Sequence, residues 1–290
     1  MEKIGLYHRI IILGSGGMLG HMISNELSKY DFKIFRVTRS LKQSSDIILD
    51  VSRFSELEEL IGKIKPTHVI NCVGVLIHDS DKHPKRAKEI NTRLPLFLES
   101  ISDKYSFILI HASTDCVFSG SAGPYSEYSI KDSKDNYGVS KSMGEVFSER
   151  CLTIRTSIIG PDLNPLGQGL FNWFLQQKGE SVKGYTNVIW GGVTTLEFAR
   201  FIIRIINNPI SGVIHLTNGL PISKFDLLSL IKEYWNKNIE IIPDATVISD
   251  RSLVSVRSKD FLQVPDYRIM IRDLHDSYEE TKYLYDHYST

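Results

Sequence analysis

The 290-residue sequence has few cysteines and no excess of charge of either sign. Its three cysteines, Cys72, Cys116 and Cys151, form no CxxC pair and are too scattered for a disulfide framework, so we expect reduced thiols and a cytoplasmic protein. Lys and Arg together number 34, and so do Asp and Glu, which leaves a formal net charge of zero. Because nucleic-acid binding depends on an excess of basic residues, this balance argues against a DNA or RNA partner.

Long apolar segments are also missing. No run approaches the ~20 residues of a membrane-spanning helix, so we expect no membrane partner. Residues 1–9 contain no apolar stretch typical of a signal peptide. The spacing of Cys and His suggests no metal site, and we expect none. The hydrophobic fraction of 42% and the charged fraction of 23% indicate an ordinary globular protein.

Short apolar runs alternate with amphipathic segments through the first half of the chain. This order is typical of βαβ units, and near-continuous apolar runs indicate strands that are covered on both faces. The predicted strands are 9–13, 32–37, 46–49, 67–71, 107–112 and 152–155. The predicted helices of this half are 17–29, 53–62, 86–101 and 136–149.

We therefore assign the chain to the α/β class, with a Rossmann-type doubly wound parallel sheet and a smaller C-terminal substrate-binding lobe. Residues 1–157 are expected to form the first domain, and residues 158–290 mainly the lobe. The segment at about 187–218 is expected to return to the first domain. Further helices are predicted near 169–178, 194–207, 222–236 and 267–285.

The first predicted strand leads directly into the glycine-rich stretch GSGGMLG, residues 14–20, which opens the first predicted helix. Glycines here permit a tight turn and let the backbone approach a pyrophosphate, whose charge the helix N-terminus attracts. The order of strand, loop and helix favours a dinucleotide site over an ordinary βα turn, so residues 1–157 are expected to form an NAD(P)-binding domain. The cofactor contacts expected from this loop are Gly14, Gly16, Gly17, Met18 and Leu19.

The residues after the second strand bear on the choice between NADPH and NADH. An acidic residue there binds the ribose 2′-hydroxyl of NAD, whereas an arginine accommodates the 2′-phosphate of NADP. This sequence has Arg39 followed by Ser40, and no acid. NADPH is therefore the expected cofactor, with NADH as the alternative and a solvated surface side chain as the other interpretation of Arg39.

A second group of polar residues follows the fifth predicted strand. Thr114 lies within STDCVFSG at the end of that strand, and Tyr137 and Lys141 lie within YGVSK at the start of the next helix. Four residues apart, Tyr137 and Lys141 share one helix face, where the ammonium is expected to lower the pKa of the phenol from ~10 toward neutrality. Tyr137 would act as general acid or base, while Thr114 hydrogen-bonds the reacting oxygen.

With these motifs the chain resembles an extended short-chain dehydrogenase/reductase, most closely of the dTDP-4-dehydrorhamnose reductase branch. The likeness covers the first 160 residues well and is weaker beyond, chiefly in GGVTT at 191–195 and in Asp250-Arg251. It implies NADPH-dependent reduction of the C4 ketone of a nucleoside-diphosphate 4-keto-6-deoxy sugar, in the biosynthesis of a deoxysugar for surface polysaccharide. The implied partner is the nucleotide-sugar substrate, and a homodimer is compatible with the sequence.

The resemblance also implies further contacts with the cofactor. Asp50 and Val51 would flank the adenine, although an Asp at such a position is equally typical of a helix N-cap. Lys141, beside Tyr137, would hydrogen-bond the nicotinamide ribose, and Asn91 would support the backbone of the active site. The residues implied to line the cofactor beside the fourth strand are Val73, Gly74 and Val75.

Cys116 leaves an epimerase open as an alternative. In the similar GDP-fucose synthase branch, a cysteine two residues after the catalytic hydroxyl removes a proton beside the ketone, and Cys116 stands two residues after Thr114. That branch also needs a histidine downstream of the tyrosine, yet none occurs between His111 and His215. The other interpretation of Cys116 is a buried structural residue.

A dehydratase is disfavoured because Asp115 is not followed by Glu. A non-catalytic regulatory subunit on this fold, as in the methionine adenosyltransferase β subunit, is the alternative from another class.

The substrate side of the site is less defined by the sequence. The pair Ile158-Ile159 stands where the similar rhamnose-forming reductases carry an aromatic residue, which leaves the identity of the sugar open. Of Phe171, Trp173 and Trp190 we expect at least two to be core residues, with Trp190 a candidate substrate contact. Arg251 is a candidate ligand of the substrate diphosphate, because a guanidinium binds phosphate bidentately.

Overall fold

The computed structural model describes residues 8–40, 46–257 and 263–288; residues 1–7, where the sequence predicts no signal peptide, lie outside this part. The strands are β1 (Arg9–Leu13), β2 (Lys33–Thr38), β3 (Ile47–Ile48), β4 (His68–Asn71), β5 (Ile108–Ala112), β6 (Cys151–Arg155), β7 (Ile158–Ile159), β8 (Ser181–Tyr185), β9 (Val188–Trp190), β10 (Val193–Thr194), β11 (Gly212–His215), β12 (Ile222–Ser223), β13 (Glu240–Asp244) and β14 (Ser249–Asp250). The helices are α1 (Met18–Leu27), α2 (Phe54–Ile64), α3 (Ile77–Lys82), α4 (Pro84–Ala87), α5 (Leu94–Tyr105), α6 (Asn136–Met143), α7 (Leu170–Leu175), α8 (Thr195–Ile206), α9 (Lys224–Tyr234) and α10 (Tyr267–Thr281). Among the described helices, none combines the length and the apolar character that crossing a membrane requires.

Seven parallel strands form the central sheet in the order β11-β6-β5-β4-β1-β2-β3. In the centre, Leu13 of β1 lies opposite Val37 of β2 on one side and Asn71 of β4 on the other. The strand order reverses at β1, which is the place where doubly wound sheets bind their ligands. The α/β class and the doubly wound parallel sheet that the sequence predicts are confirmed.

The central strand β1 explains why the apolar runs of the sequence are continuous. Ile10 and Ile12 pack into one apolar cluster with residues of α1, α8 and α10, whereas Ile11 and Leu13 pack into a second cluster with residues of α2 and α5. All four side chains are fully buried. Because successive side chains of a strand point to opposite faces, helices on both faces require apolar residues at every position.

The chain beyond β6 contributes both to the central sheet and to elements outside it. β11 adds to the edge of the sheet beside β6, and α8 packs against α1. The other late strands form three small sheets, in which β10 pairs with β7, β12 and β14 flank β9, and β13 pairs with β8. The proposed division into domains at residue 157 stays a prediction.

Two predicted helices have different boundaries in the structure. The segment predicted as one helix at 86–101 consists of α4, a π-helical turn at Lys88–Arg93, and α5. The helix predicted to run to residue 149 ends at Met143, where Gly144 is the C-cap. Beyond it, Glu145 turns inward and its carboxylate lies 2.7 Å from the guanidinium of Arg155. Glu145 therefore belongs to a buried ion pair and not to a further turn of α6.

The last described turns reach back to the beginning of α1. His21 Nδ1 lies 2.9 Å from the Gly17 carbonyl, and Nε2 lies 2.7 Å from the Tyr285 hydroxyl. Burial lowers the pKa of His21 to about 4, so the neutral ring donates from Nδ1 and accepts from Tyr285 at Nε2. Tyr285 stacks on Tyr288, whose hydroxyl accepts a hydrogen bond from the Asp162 main-chain N–H over 3.0 Å. We call the hydrogen bond between His21 and Tyr285 the His21–Tyr285 tie.

Candidate active site

A cleft of about 490 Å³ lies at the carboxyl ends of the central strands, the usual position of a ligand site in a doubly wound sheet. One side, called the sheet wall, is formed by Gly17, Met18, Leu19, Cys72, Val73, Gly74, Ala112, Ser113, Thr114, Asp115, Cys116, Tyr137 and Lys141. The opposite side, called the lobe wall, is formed by Ser157, Ile158, Ile159, Asp162, Gln168, Gly169, Leu170, Trp190, Lys224, Ser249 and Arg251.

The glycine turn joins β1 to α1 on the sheet wall. Gly14 has a φ of 80°, and its main-chain N–H donates to the Val37 carbonyl over 2.9 Å. A Cβ at Gly20 would overlap the Gly14 carbonyl oxygen, so the turn and the helix can approach this closely only with glycine there. Gly17 caps α1 without a side-chain hydrogen bond, and the first turn of α1 has no acidic residue. The main-chain N–H groups at this end of the helix can therefore bind an anion.

Arg39 and Ser40 follow β2 and are exposed. Since Leu13 and Val37 are opposite each other, both residues lie just beyond the strand pair that leads into the glycine turn. They do not line the cleft itself, and neither do Gly14, Gly16, Asp50, Val51 and Val75.

Asp50 is already engaged by neighbouring groups. Its carboxylate accepts hydrogen bonds from the Ser52 main-chain N–H (3.0 Å) and hydroxyl (2.8 Å), and forms an ion pair with Arg86 at 3.0 Å. Burial opposes ionisation of Asp50, but these contacts together lower its pKa to about 2. The N-cap of α2 is Arg53 rather than Asp50, and Val51 is buried.

Asn91 connects the loop after β4 with α6. Its side chain accepts from the Val75 N–H over 2.8 Å and donates to the Val75 carbonyl over 3.0 Å, which satisfies both main-chain groups of that residue. The same amide nitrogen lies 3.0 Å from the Ser140 hydroxyl on α6. Asn91 is fully buried on the π-helical turn, so it holds the loop and the helix in one position, as the resemblance implies.

Thr114, Tyr137 and Lys141 meet in the cleft. The Thr114 hydroxyl caps a 3₁₀ turn by accepting from the Cys116 N–H over 3.1 Å, and it donates to the Asp115 carboxylate over 3.2 Å. Tyr137 and Lys141 lie one turn apart on α6, and the Lys141 ammonium donates to the Ala112 carbonyl over 2.7 Å. Lys141 is only 3% exposed, and this hydrogen bond fixes the position of its ammonium.

The pKa values of these groups differ from what the spacing predicts. Burial lowers the pKa of Lys141 to about 8, although the charge of Glu145 opposes this shift. Burial also raises the pKa of the Tyr137 phenol, and the nearby Cys116 acts in the same direction, while a hydrogen bond with Thr114 opposes it. The expected lowering of the Tyr137 pKa was wrong, because burial and the nearby Cys116 raise it, while the Lys141 ammonium donates to the Ala112 carbonyl. Tyr137 is a protonated phenol at neutral pH.

Cys116 is held as a thiol. Burial, assisted by the charge of Asp115, raises its pKa to about 12, and the guanidinium of Arg251 and a hydrogen bond with Thr114 oppose this rise. The Sγ atom lies 3.6 Å from the Asp115 carboxylate and 3.5 Å from Arg251 Nη1. A thiol with this pKa is a weak base at neutral pH, and none of the residues that line the cleft is a histidine.

On the lobe wall, Arg251 directly contacts Cys116 and Ser119. Its Nη2 lies 3.4 Å from the Ser119 carbonyl, and its buried Nε has no hydrogen-bond partner among the described residues. Trp190 reaches the cleft but is 6% exposed and packs against Tyr267. Phe171 is fully buried whereas Trp173 is 42% exposed, so two of the three aromatic residues are core, as predicted.

Sequence reasoning missed a buried charge cluster beneath Ser113. Glu145 accepts both N–H groups of Arg155 at 2.7 and 2.8 Å, the Lys131 ammonium at 2.9 Å and the Ser113 hydroxyl at 3.0 Å. Burial raises the pKa of Glu145, but Arg155 and Lys131 lower it overall, so the carboxylate is charged. The sequence pattern predicts a helix up to residue 149, and it therefore gives no indication of these contacts of Glu145. Sequence reasoning also missed Lys224, which lines the cleft.

No group of three or more His, Cys, Asp or Glu side chains in the described ranges could hold a metal ion.

Comparison with known proteins places this geometry in a family. The RmlD substrate binding domain family matches residues 8–249. The spore coat polysaccharide biosynthesis protein SpsK of Bacillus subtilis is 23% identical over 232 residues, which cover 78% of each chain. The dTDP-4-dehydrorhamnose reductase of Aggregatibacter actinomycetemcomitans is 26% identical over 158 residues, and this match spans only about half of each chain (51%). Among solved structures, dTDP-4-dehydrorhamnose reductase from Bacillus anthracis in complex with NADP superposes with a TM-score of 0.78, at 22% identity, over 93% of this chain and 99% of that one.

Proposed function

Because the chain belongs to the RmlD substrate binding domain family, we propose that it reduces the C4 ketone of a nucleoside-diphosphate 4-keto-6-deoxy sugar with NADPH. The observation that carries this proposal is the convergence of Thr114, Tyr137 and Lys141 on the cleft that the glycine turn also lines. Reduction of a ketone by a nicotinamide needs a proton donor, a positive charge beside it and a site for the cofactor's pyrophosphate. The family name and the similar reductase of Aggregatibacter actinomycetemcomitans support the same activity.

The glycine turn fits a dinucleotide, since its helix end is uncapped by side chains and carries no acid that would repel a phosphate. We assign the pyrophosphate to this turn, the 2′-phosphate to Arg39 and Ser40, and the nicotinamide end to Val73 and Gly74. When bound, NADPH supplies the hydride. The complex of the Bacillus anthracis neighbour with NADP supports NADPH, and NADH is the alternative.

The three polar residues have separate tasks in this proposal. Tyr137 donates its proton to the C4 oxygen, which its raised pKa permits because the phenol is protonated at neutral pH. Lys141 is a cation below about pH 8 and stabilises the phenolate that the transfer leaves. Thr114 holds the ketone oxygen through its hydroxyl. Arg251 binds the substrate diphosphate, and its unpartnered Nε supports this role.

An epimerase that uses Cys116 is less well supported than the reductase. A thiol with a pKa raised to about 12 does not readily remove a proton beside a ketone. The similarity to a protein named for spore coat polysaccharide biosynthesis supports a product used in a surface polysaccharide.

The test is turnover of the purified protein with NADPH and dTDP-, UDP- and GDP-linked 4-keto-6-deoxy sugars, followed by NMR of the product at C4. Tyr137→Phe is expected to abolish NADPH oxidation and leave NADPH binding almost unchanged. The matched control is Tyr128→Phe, since Tyr128 is 78% exposed and lies outside the cleft. Full turnover by Tyr137→Phe would exclude this mechanism, and deuterium from solvent at C3 or C5 would instead identify an epimerase.

A further inference from the structure

The last described turns of the chain contain three tyrosines in contrasting environments. After α10, residues 282–288 form two short 3₁₀ turns, which together we call the tyrosine turn. Tyr283 is 71% exposed, whereas Tyr285 is fully buried and Tyr288 is buried as well. Because the hydroxyl of a buried tyrosine needs a hydrogen-bond partner, the partners of the two buried residues show what the tyrosine turn holds.

Tyr285 reaches the glycine turn through His21. Its hydroxyl donates to His21 Nε2 over 2.7 Å in the His21–Tyr285 tie, and Nδ1 of the same ring donates to the Gly17 carbonyl over 2.9 Å. The main-chain N–H of His21 donates to the same carbonyl over 3.0 Å. The Gly17 carbonyl therefore accepts two hydrogen bonds from one residue, and the tie fixes the ring that makes one of them.

The direction of the Gly17 carbonyl determines the direction of a main-chain donor in the cleft. In a trans peptide the C=O and N–H groups lie in one plane and point in opposite directions. Because the Gly17 carbonyl is held toward α1, the Met18 N–H points away from the helix, and Met18 lines the cleft. This N–H belongs to the first turn of α1, where main-chain donors find no acceptor within the helix and can bind an anion.

Tyr288 holds the opposite wall of the cleft. Its hydroxyl accepts from the Asp162 main-chain N–H over 3.0 Å, and Asp162 belongs to the lobe wall. The Asp162 carboxylate in turn accepts from the Asn164 N–H over 2.9 Å, in the loop between β7 and α7. The Tyr288 ring also packs edge-on against Phe171 of α7, with 5.9 Å between the ring centroids. Tyr288 therefore contacts both the start of this loop and the helix that follows it.

The two buried tyrosines form one packed unit. Their rings stack with 6.2 Å between centroids, and the ring of Tyr278 on α10 stacks on Tyr285 at 5.5 Å. Tyr278 also lies 6.3 Å from the ring of Tyr288. Since three rings in mutual contact restrict one another, the hydroxyls of Tyr285 and Tyr288 are held in position relative to each other. One hydroxyl reaches the sheet wall through His21, and the other reaches the lobe wall directly.

We propose that the tyrosine turn is a positioning element for both ligands of the cleft. Tyr285 acts through His21 on the Gly17 carbonyl, and so on the N–H group that receives the pyrophosphate of NADPH. Tyr288 acts through Asp162 on the wall that receives the nucleotide-sugar. This inference rests on the proposed function, because it takes the glycine turn as the pyrophosphate site and the lobe wall as the substrate side.

Removal of single hydroxyl groups tests this division. Tyr285→Phe keeps the ring and its stacking but leaves His21 Nε2 without its donor, so the Kd for NADPH is expected to rise by about three- to tenfold in a fluorescence titration. The KM for the nucleotide-sugar is expected to stay within about twofold of the parent value. Tyr288→Phe is expected to show the reverse, with the KM for the nucleotide-sugar raised by about three- to tenfold and the Kd for NADPH within about twofold.

Hydrogen exchange gives a second measurement on the lobe wall that needs no turnover. In Tyr288→Phe the Asp162 N–H loses its acceptor, so exchange at this amide is expected to be about tenfold faster than in the parent protein. Tyr285→Phe is expected to leave it unchanged. The matched control is Tyr283→Phe, which removes the hydroxyl of the exposed tyrosine in the same turn and is expected to keep every parental value.

A double variant tests whether Tyr285 acts through His21. His21→Phe removes both hydrogen bonds of the imidazole and is expected to weaken NADPH binding by about tenfold. Adding Tyr285→Phe to it is expected to cause no further loss, since the hydroxyl then has no ring nitrogen to meet. Losses that add in full would overturn the route through His21. Tyr285→Phe alone keeps the inference open to test where His21→Phe does not fold.

The outcomes distinguish this inference from the reductase assignment. A parental Kd for NADPH in Tyr285→Phe overturns the inference, and so do equal effects of the two tyrosine variants on both ligands, which indicate a general loss of stability. If the protein reduces no keto-sugar, the expected NADPH titrations and hydrogen exchange uphold the positioning element and remove the reductase. Turnover with parental constants in all the variants upholds the reductase and overturns the positioning element.

Discussion

The two walls of the cleft are built in different ways. The sheet wall is built from short continuous segments, among them residues 17–19 of the glycine turn, with their main-chain N–H groups, and residues 72–74 after β4. The lobe wall uses side chains that come from distant parts of the chain, including Trp190, Lys224 and Arg251. Main-chain recognition requires glycine at fixed positions and can be predicted from sequence, whereas a wall of converging side chains becomes visible only in the folded chain.

From this difference between the two walls we expect the largest loss of ligand affinity on substitution of Gly20. In Gly20→Ala the new methyl group would overlap the Gly14 carbonyl, so we expect the turn to shift and NADPH affinity to fall by about 100-fold. Fluorescence titration with NADPH measures this loss. Gly179→Ala is the control, because the nearest atom to its Cβ would lie 3.9 Å away, in ordinary contact. Unchanged affinity in Gly20→Ala would show that the sheet wall does not depend on this close approach.

Substitutions of two arginines test whether the two walls bind different ligands. Arg39→Ala is expected to raise the KM for NADPH by about tenfold without affecting the KM for NADH, since only NADPH carries the 2′-phosphate. Arg251→Ala is expected to raise the KM for the nucleotide-sugar by a similar factor and to leave the KM for NADPH unchanged. Steady-state kinetics with each substrate varied in turn measures both. If either variant raises both KM values equally, the two walls do not bind separate ligands.

The pH dependence of the reaction reports on Lys141. Its pKa of about 8 means that the ammonium is present below that pH and is lost as the pH rises through it. We expect kcat/KM for reduction to be steady near neutrality and to fall above about pH 8, to about one tenth near pH 9. Lys141→Arg, which cannot lose its charge in this range, is expected to lack the alkaline fall in whatever activity remains. A flat profile in the parent protein up to pH 10 would contradict the role of Lys141.

The smallest effect on turnover is expected from substitution of Cys116, which belongs to the sheet wall and contacts Arg251 of the lobe wall. Cys116→Ser should change kcat by no more than about threefold, since a buried thiol with a raised pKa takes no part in proton transfer. The NADPH oxidation rate measures this. A large loss of turnover in Cys116→Ser, together with exchange of deuterium into the sugar, would favour the epimerase.

The sequence predicted the parts of the site that local chemistry determines. The glycine turn was visible because Gly14 needs a positive φ and Gly20 allows close packing, and the Tyr137–Lys141 pair was visible from helical spacing. The direction of the Tyr137 pKa shift was not predictable, since it depends on how deeply the tertiary fold buries the phenol.

Other features depended on contacts between distant residues. Beyond the end of α6, Glu145 forms an ion pair with Arg155, which lies ten residues away and which no local pattern predicts. The sequence predicts one continuous helix at 86–101 and gives no indication of the π-helical turn that carries Asn91. In the sequence Lys224 resembles any lysine at the start of an amphipathic helix, and only the folded chain shows that it lines the cleft.

The His21–Tyr285 tie has a consequence for the order in which the protein acquires its cofactor site. The two residues are 264 positions apart, so the ribosome has made almost the whole described chain before Tyr285 can reach His21 beneath the glycine turn. Contacts this distant along the chain form late, after the intervening segments are in place. A nascent chain can fold β1 and α1 early, but it gains this hydrogen bond beneath the glycine turn only after residue 285 has been made.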